Sequence, residues 1–305
     1  MEKNSSTQGM RPRRFARART VGLVALLAVT IAGCGGLVKT GYRNGDTVGL
    51  FMMNRYLDLS GEQKEFVKPK LRSLIAWHRS TQLPDYTTVA TELQRKATQP
   101  TTVAEVSAIG EQMRKRAHAT VDHAMPDMAD LALRLTPDNI KALQDKFAED
   151  DEKFRDANVK VSLEKQQKER YEKTLERVEE WYGKFGREQR VAIRQFSDAR
   201  PIDNGILLAE RQRREGDIIA MLNRVQREKP SRDAVVAMMK GVSQRFDDSP
   251  DPERRAFVES LRKATAEMNA QIHNLATPQQ RQKSVARLQE WIDDFRSLSA
   301  EPGGA

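Results

Sequence analysis

Few side chains in this 305-residue chain combine a reactive type with a telling position. The single cysteine, Cys34, follows the uncharged run VGLVALLAVTIAG (21–33) and precedes Gly35 and Gly36. A thiol in that place is a nucleophile available for alkylation. WHRSTQLPDY (77–86) gathers Trp77, His78, Arg79, Asp85 and Tyr86. Two readings stand for it. Either a cation lies on the indole face, or Asp85 orients the imidazole, and the junction is a binding surface; or His78 and Arg79 offset the dipole at a helix carboxyl end. A bound partner would meet the chain at this junction, with Arg55 and Tyr56 near it. HATVDHAMPD (118–127) places His118 four residues before Asp122, and His123 four before Asp127, so each pair shares a helix face. The two histidines are five apart and point differently, so the zinc-hydrolase spacing is missing. His273 stands alone. The sequence has no Gly-rich phosphate loop, no Gly-x-Ser-x-Gly elbow and no Ser-Lys signature. The expectation is a protein that is not an enzyme and carries neither cofactor nor metal.

The amino terminus supplies an address. Arg11, Arg13, Arg14, Arg17 and Arg19 precede the apolar run, and a basic region before a short apolar one reads as a secretory signal. Thirteen residues make only ~20 Å of helix, too little to span a ~30 Å hydrocarbon core. The residues around the cysteine, Ile31-Ala32-Gly33-Cys34, resemble the lipobox of bacterial lipoproteins. That resemblance implies cleavage after Gly33, diacylglycerol on the Cys34 sulfur and an acylated new amino terminus. Gly35 in place of Asp resembles the outer-membrane default of Gram-negative lipoproteins, which implies the periplasmic face of the outer membrane. Several acyl chains give stable anchoring at ~0.8 kcal/mol per buried methylene. With Cys34 modified, no thiol remains for a disulfide or a zinc–thiolate site.

Loss of residues 1–33 removes Lys3 and five arginines against Glu2, so the net charge falls from +9 to +4. So small an excess is no nucleic-acid footprint, and Arg114-Lys115-Arg116 reads as a solvated helix face. The expected partners are the membrane, through Cys34, and a protein of the cell envelope.

Composition and punctuation predict an all-α chain: 31% charged residues, 6% aromatic, and no paired alternating β-branched runs. The expected organisation is a signal peptide (1–33), a lipidated tether (34–46), a first helical lobe (47–185), a second (186–298) and a frayed tail (299–305). Ser60 with Gln63, and Thr136 before Pro137, mark helix starts. Helices are predicted near 60–77, 84–96, 102–133, 187–198, 201–228, 231–246, 250–274 and 277–297, with kinks at Pro69 and Pro126. From Ile140 to Phe185, eleven of fourteen positions on two heptad tracks are apolar or aromatic, with Asp150, Glu164 and Lys168 as the exceptions. This predicts one coiled-coil-like helix ~69 Å long within an elongated bundle. An antiparallel helix of the same chain, or a second copy in a homodimer, would cover its seam.

Three helix starts share a pattern: LSGEQ (59–63), LTPDN (135–139) and ATPQQ (276–280). EEWYGKF (179–185) and QEWIDDF (289–295) also match in having an acid before Trp and Phe four residues later. Capping chemistry or internal duplication accounts for either set. LSGEQ resembles the Leu-Thr-x-x-Gln motifs of periplasmic chaperones of the Spy and CpxP type, which implies ATP-independent client binding on an all-helical cradle. A broader resemblance runs through GYRNGDTVGLFMMNRYLDLSGEQ (41–63), WHRSTQLPDY and EEWYGKFGREQ (179–189). It is to a family of proteobacterial outer-membrane lipoproteins of unknown function, and it implies a tethered helical protein without naming an activity. The leading expectation is a non-enzymatic envelope scaffold or binding protein; the alternative is a client-binding chaperone.

Overall fold

The computed structural model describes Lys39 and residues 41–301. Cys34, the signal and the first part of the tether lie outside the described residues. Among the described residues the chain is all-α, without a strand. Its helices are α1 (Gly45–Leu57), α2 (Gly61–Trp77), α3 (Leu83–Lys96), α4 (Val103–Ala132), α5 (Pro137–Phe154), α6 (Leu163–Tyr182), α7 (Arg187–Asp198), α8 (Asn204–Glu228), α9 (Arg232–Asp247), α10 (Pro252–Leu275) and α11 (Pro278–Ala300). The starts follow the capping chemistry. Ser60, Thr102, Thr136, Ser231 and Thr277 each accept a backbone N–H from the residue three positions on. α2 and α4 continue through Pro69 and Pro126.

The heptad run is not one helix. A π-helical turn (Arg155–Val159) ends α5, and Ser162 caps a new helix by accepting from Lys165 N. Asn158 and Asn204 hold the break: the Asn158 amide donates to Phe154 O, and the Asn204 amide to Asn158 O, each at 3.0 Å. The seam therefore serves two cores. Ile140, Leu143 and Phe147 pack in the first, with Tyr56, Leu57, Met125, Leu222 and Val235. Tyr171, Leu175, Val178 and Phe185 pack in the second, with Ile193, Met268 and Ile272. Two smaller clusters join α3 to α11: Leu83 with Phe295 and Leu298, and Ala90 with Leu288 and Ile292. All four clusters draw residues from both sides of the expected 185/186 boundary, so the two stretches interleave.

The repeated helix starts meet in space. The Gln63 amide donates to Arg134 O and to Asn139 Oδ1, both at 2.8 Å, and the Asn139 amide donates to Leu57 O and Asp58 O at 2.8 and 3.0 Å. The second core repeats the device. Gln280 donates to Lys184 O at 2.9 Å, and Gln189 to Leu275 O and Gln280 Oε1 at 3.1 and 2.8 Å. In all four motifs the amide reaches the carbonyl just before the partner motif. The fourth member, Phe185-Gly186-Arg187-Glu188-Gln189, escapes the sequence comparison because Gly186 has no side-chain oxygen; its N–H nonetheless donates to Gln189 Oε1 at 3.0 Å. Leu59, Leu135, Phe185 and Ala276 are all buried behind these caps. Trp181 and Trp291, the matched tryptophans, pack edge to face with centroids 5.0 Å apart.

Candidate functional site

The WHRSTQLPDY junction is a π-helical turn (His78–Gln82) linking α2 to α3 without a break. Pro84 explains it. Proline cannot donate to the carbonyl four residues back, and its ring crowds that carbonyl. One extra residue in the turn absorbs the conflict. Leu83 N then bonds to His78 O, and the Ser80 and Thr81 hydroxyls both donate to Trp77 O.

The turn drives His78 and Arg79 inward together, leaving them 2% and 8% exposed. The His78 Nδ1 is hydrogen-bonded to Tyr42 Oη at 3.0 Å, and its ring lies 5.6 Å from Tyr86. Burial pushes the imidazole down to about 4 and raises the Tyr42 phenol, so both stay neutral near pH 7. The Arg79 guanidinium donates to Leu298 O and Glu301 Oε2, both at 2.9 Å. Arg43 donates to the other oxygen of Glu301 at 2.8 Å, and this bond holds the Glu301 carboxyl below its usual range. Lys39 pairs with Asp294 at 2.9 Å. The amino-terminal segment is thus fastened to the end of α11 at two points, Lys39–Asp294 and Arg43–Glu301, and to the π turn at a third, Tyr42–His78.

Two expectations are corrected here. The described part of the expected tether, Lys39 and 41–46, is folded into the body: 41–43 are helical, Gly45 opens α1, and Lys39, Tyr42 and Arg43 are engaged. Ser299 and Ala300 belong to α11 rather than to a frayed tail, because Glu301 beyond them accepts Arg43 and Arg79. His78 and Arg79 do not offset a helix carboxyl end either, since the helix runs on and His78 is uncharged.

The proposed surface comes together only in part. Trp77, His78, Arg79 and Tyr86 share the junction. Asp85 turns outward and takes two bonds from Arg116, at 2.6 and 3.0 Å. Tyr56 lies in the first core, donating to Asp150 Oδ2 at 3.0 Å, while Arg55 is exposed on α1. The His–Asp pairs along α4 are replaced by tertiary partners. His118 pairs with Asp247 at 2.9 Å, Asp127 with Lys70, and His123 stacks on Trp77 with rings 3.8 Å apart and 6° from parallel. Tyr42, Arg43, His123 and Glu301 went unread at the junction. No local spacing links them to residues 77–86.

Two shallow grooves complete the inventory. One, about 390 Å³, runs between α5 and α8 along Phe147, Ile219 and Glu215. Burial pushes Glu215 up to about 7, although Arg211 bonds it at 2.9 Å. Arg211 also lies 2.9 Å from Asp151, so one guanidinium serves two carboxylates. The other, about 620 Å³, is lined by Tyr171, Val191, Arg187, Arg190 and Arg194. Two of these arginines are engaged, Arg190 by Glu179 and Arg194 by Asp198. Among the described residues no three His, Cys, Asp or Glu side chains converge to hold a metal ion, and no helix is long and apolar enough to cross a membrane.

The all-α architecture with its buried His-Arg junction defines a helical protein whose most elaborate site is a fastening. The chain belongs to a family of unknown function (DUF6279), whose model matches residues 55–249. That span takes in the junction and three of the four capped starts, but neither Cys34 nor α11. No curated protein and no solved structure matches the chain.

Proposed function

We propose that this protein is a lipid-anchored, non-enzymatic scaffold of the bacterial envelope. It is acylated at Cys34, faces the periplasm from the outer membrane, and braces a protein partner there. The observation that carries the reading is the fastening of the amino-terminal segment to α11. Lys39–Asp294 and Arg43–Glu301 tie residues 39–43 to the end of α11, while Arg79–Glu301 and Tyr42–His78 bring the π turn into the same fastening. An anchored body that resists pull at its tether needs such ties. At the junction, His78 and Arg79 are taken up by Tyr42, Leu298 and Glu301 of the chain itself. The large apolar side chains left exposed are spread over four helices, with Val48 and Phe51 on α1, Val103, Met113 and Met128 on α4, Leu163 on α6 and Val191 on α7, and that spread gives the chaperone reading little support.

In-cell crosslinking followed by mass spectrometry tests the reading. Recovery of one envelope protein in stoichiometric amount supports the scaffold. Recovery of many unrelated unfolded proteins contradicts it in favour of a chaperone.

A further inference from the structure

We infer that the outward face of α1 is a membrane-contacting surface that seats in the interface of the bilayer holding the Cys34 anchor. The inference rests on the anchored reading above and names which part of the body meets the lipid.

Phe51 is 66% exposed, the most exposed large hydrophobic side chain among the described residues, and Val48 is 45% exposed. They lie three apart and so share one face of α1. The opposite face is fixed. At Gly45 and Gly49, four apart, a Cβ would come within 2.6 Å of Ile75 and 3.3 Å of Leu71, so the backbone of α1 lies directly on α2. α1 therefore cannot roll to hide Phe51. The exposed residues of α1 include Thr47, Val48, Phe51 and Arg55, none a carboxylate, with Asp58 exposed just past its carboxyl end. Asp46, the one acid of the helix, is turned aside and bonded to Arg72 at 2.8 Å. Exposed apolar side chains with Arg55 beside them match an interfacial site, with the Phe51 ring among the acyl chains and the Arg55 guanidinium at anionic headgroups, while Arg43 stays bonded to Glu301.

Chain length selects lipid as the occupant. Five residue steps separate Cys34 from Lys39, a reach of at most about 18 Å. Lys39 is tied to Asp294, so the slack ends there. From Gly45 to Phe51 the helix advances only about 9 Å. A body held this close to its acyl chains by its own amino end keeps α1 beside the surface.

The test uses the full acylated chain in vesicles of phosphatidylethanolamine and phosphatidylglycerol, carrying Phe51→Trp. The wild-type chain, with Trp77, Trp181 and Trp291, gives the baseline. Val191→Trp, at an exposed position of α7, is the control. The expected result is that the chain floats with the vesicles and that the added emission at position 51 is blue-shifted and quenched by brominated acyl chains, while that at 191 is not. Flotation without quenching at 51 overturns the inference and leaves the anchor standing. Equal quenching at both positions overturns the orientation. Failure to float overturns the anchor and the inference together. A photocrosslinker at position 51 that captures a protein or a second copy instead of lipid also overturns it.

Discussion

Replacing Gln63 by alanine removes three hydrogen bonds from a site 7% exposed. Its Oε1 accepts from Ser60 N at 2.9 Å; its Nε2 donates to Arg134 O and Asn139 Oδ1, each at 2.8 Å. Each such bond contributes about 1 kcal/mol net, and orphaning a buried carbonyl adds about 1–3 kcal/mol, so Gln63→Ala should cost roughly 4–6 kcal/mol. Asn139→Ala should cost about as much, since its amide bonds Leu57 O and Asp58 O while its oxygen accepts Thr136 N. Because the two side chains bond each other, the double variant should lose about 1 kcal/mol less than the two single losses together. Gln63→Ala with Gln280→Ala, which act in different cores, should be additive within about 0.5 kcal/mol. Urea unfolding of the chain from Gly35 onward, followed by circular dichroism, measures both cycles. Zero coupling between Gln63 and Asn139, or equal coupling between Gln63 and Gln280, would refute the account of two self-contained reciprocal caps.

Three further outcomes follow from the same geometry. The His78 value near 4 lies below the ordinary 6.5, so the unfolded chain takes up a proton that the fold refuses. Its stability contribution is complete above pH 6.5 and declines as pH falls towards 4, by roughly 3 kcal/mol; His78→Gln should flatten the stability profile over that window, and an unchanged slope would contradict the buried neutral ring. Glu301→Gln weakens the tie shared by Arg43 and Arg79, so amide hydrogen exchange over residues 41–50 should quicken while that of Ile140–Phe147 stays unchanged. Lys229, at φ 45, caps α8 in the left-handed region, so Lys229→Gly should raise stability by about 1 kcal/mol in the same urea assay, and a loss would show that the side chain matters more than the backbone.

What could be read in advance was local. Ser60 with Gln63, Thr136 with Pro137, and the prolines at or just before the starts of α9, α10 and α11 (Pro230, Pro250 and Pro278) announce their helices because capping is chemistry between near neighbours. The pairing of those caps was not legible, since nothing in LSGEQ says that its amide will reach Arg134 O. A clue lay in Tyr-x-x-(Leu/Phe)-(Ser/Gly)-x-Glu-Gln, shared by Tyr56–Gln63 and Tyr182–Gln189, each with a left-handed residue between the tyrosine and the buried apolar side chain. The heptad spacing marked core residues on both sides of a break, such as Ile140 and Tyr171, but a seven-residue spacing runs on unchanged through the break at Val159–Ser162. At the junction, charge at a helix end was the wrong frame for His78. The π turn made by Pro84 carries it inward, and partners from residues 42 and 79–86 enclose it.

The most direct test of the anchored scaffold is the mass of the amino-terminal peptide from the chain purified out of bacterial membranes. The account predicts a peptide that begins at Cys34, carries acyl chains on both sulfur and amino group, and is lost in Cys34→Ser. A peptide that begins before Gly33, or one that begins at Cys34 with a free thiol, would contradict it.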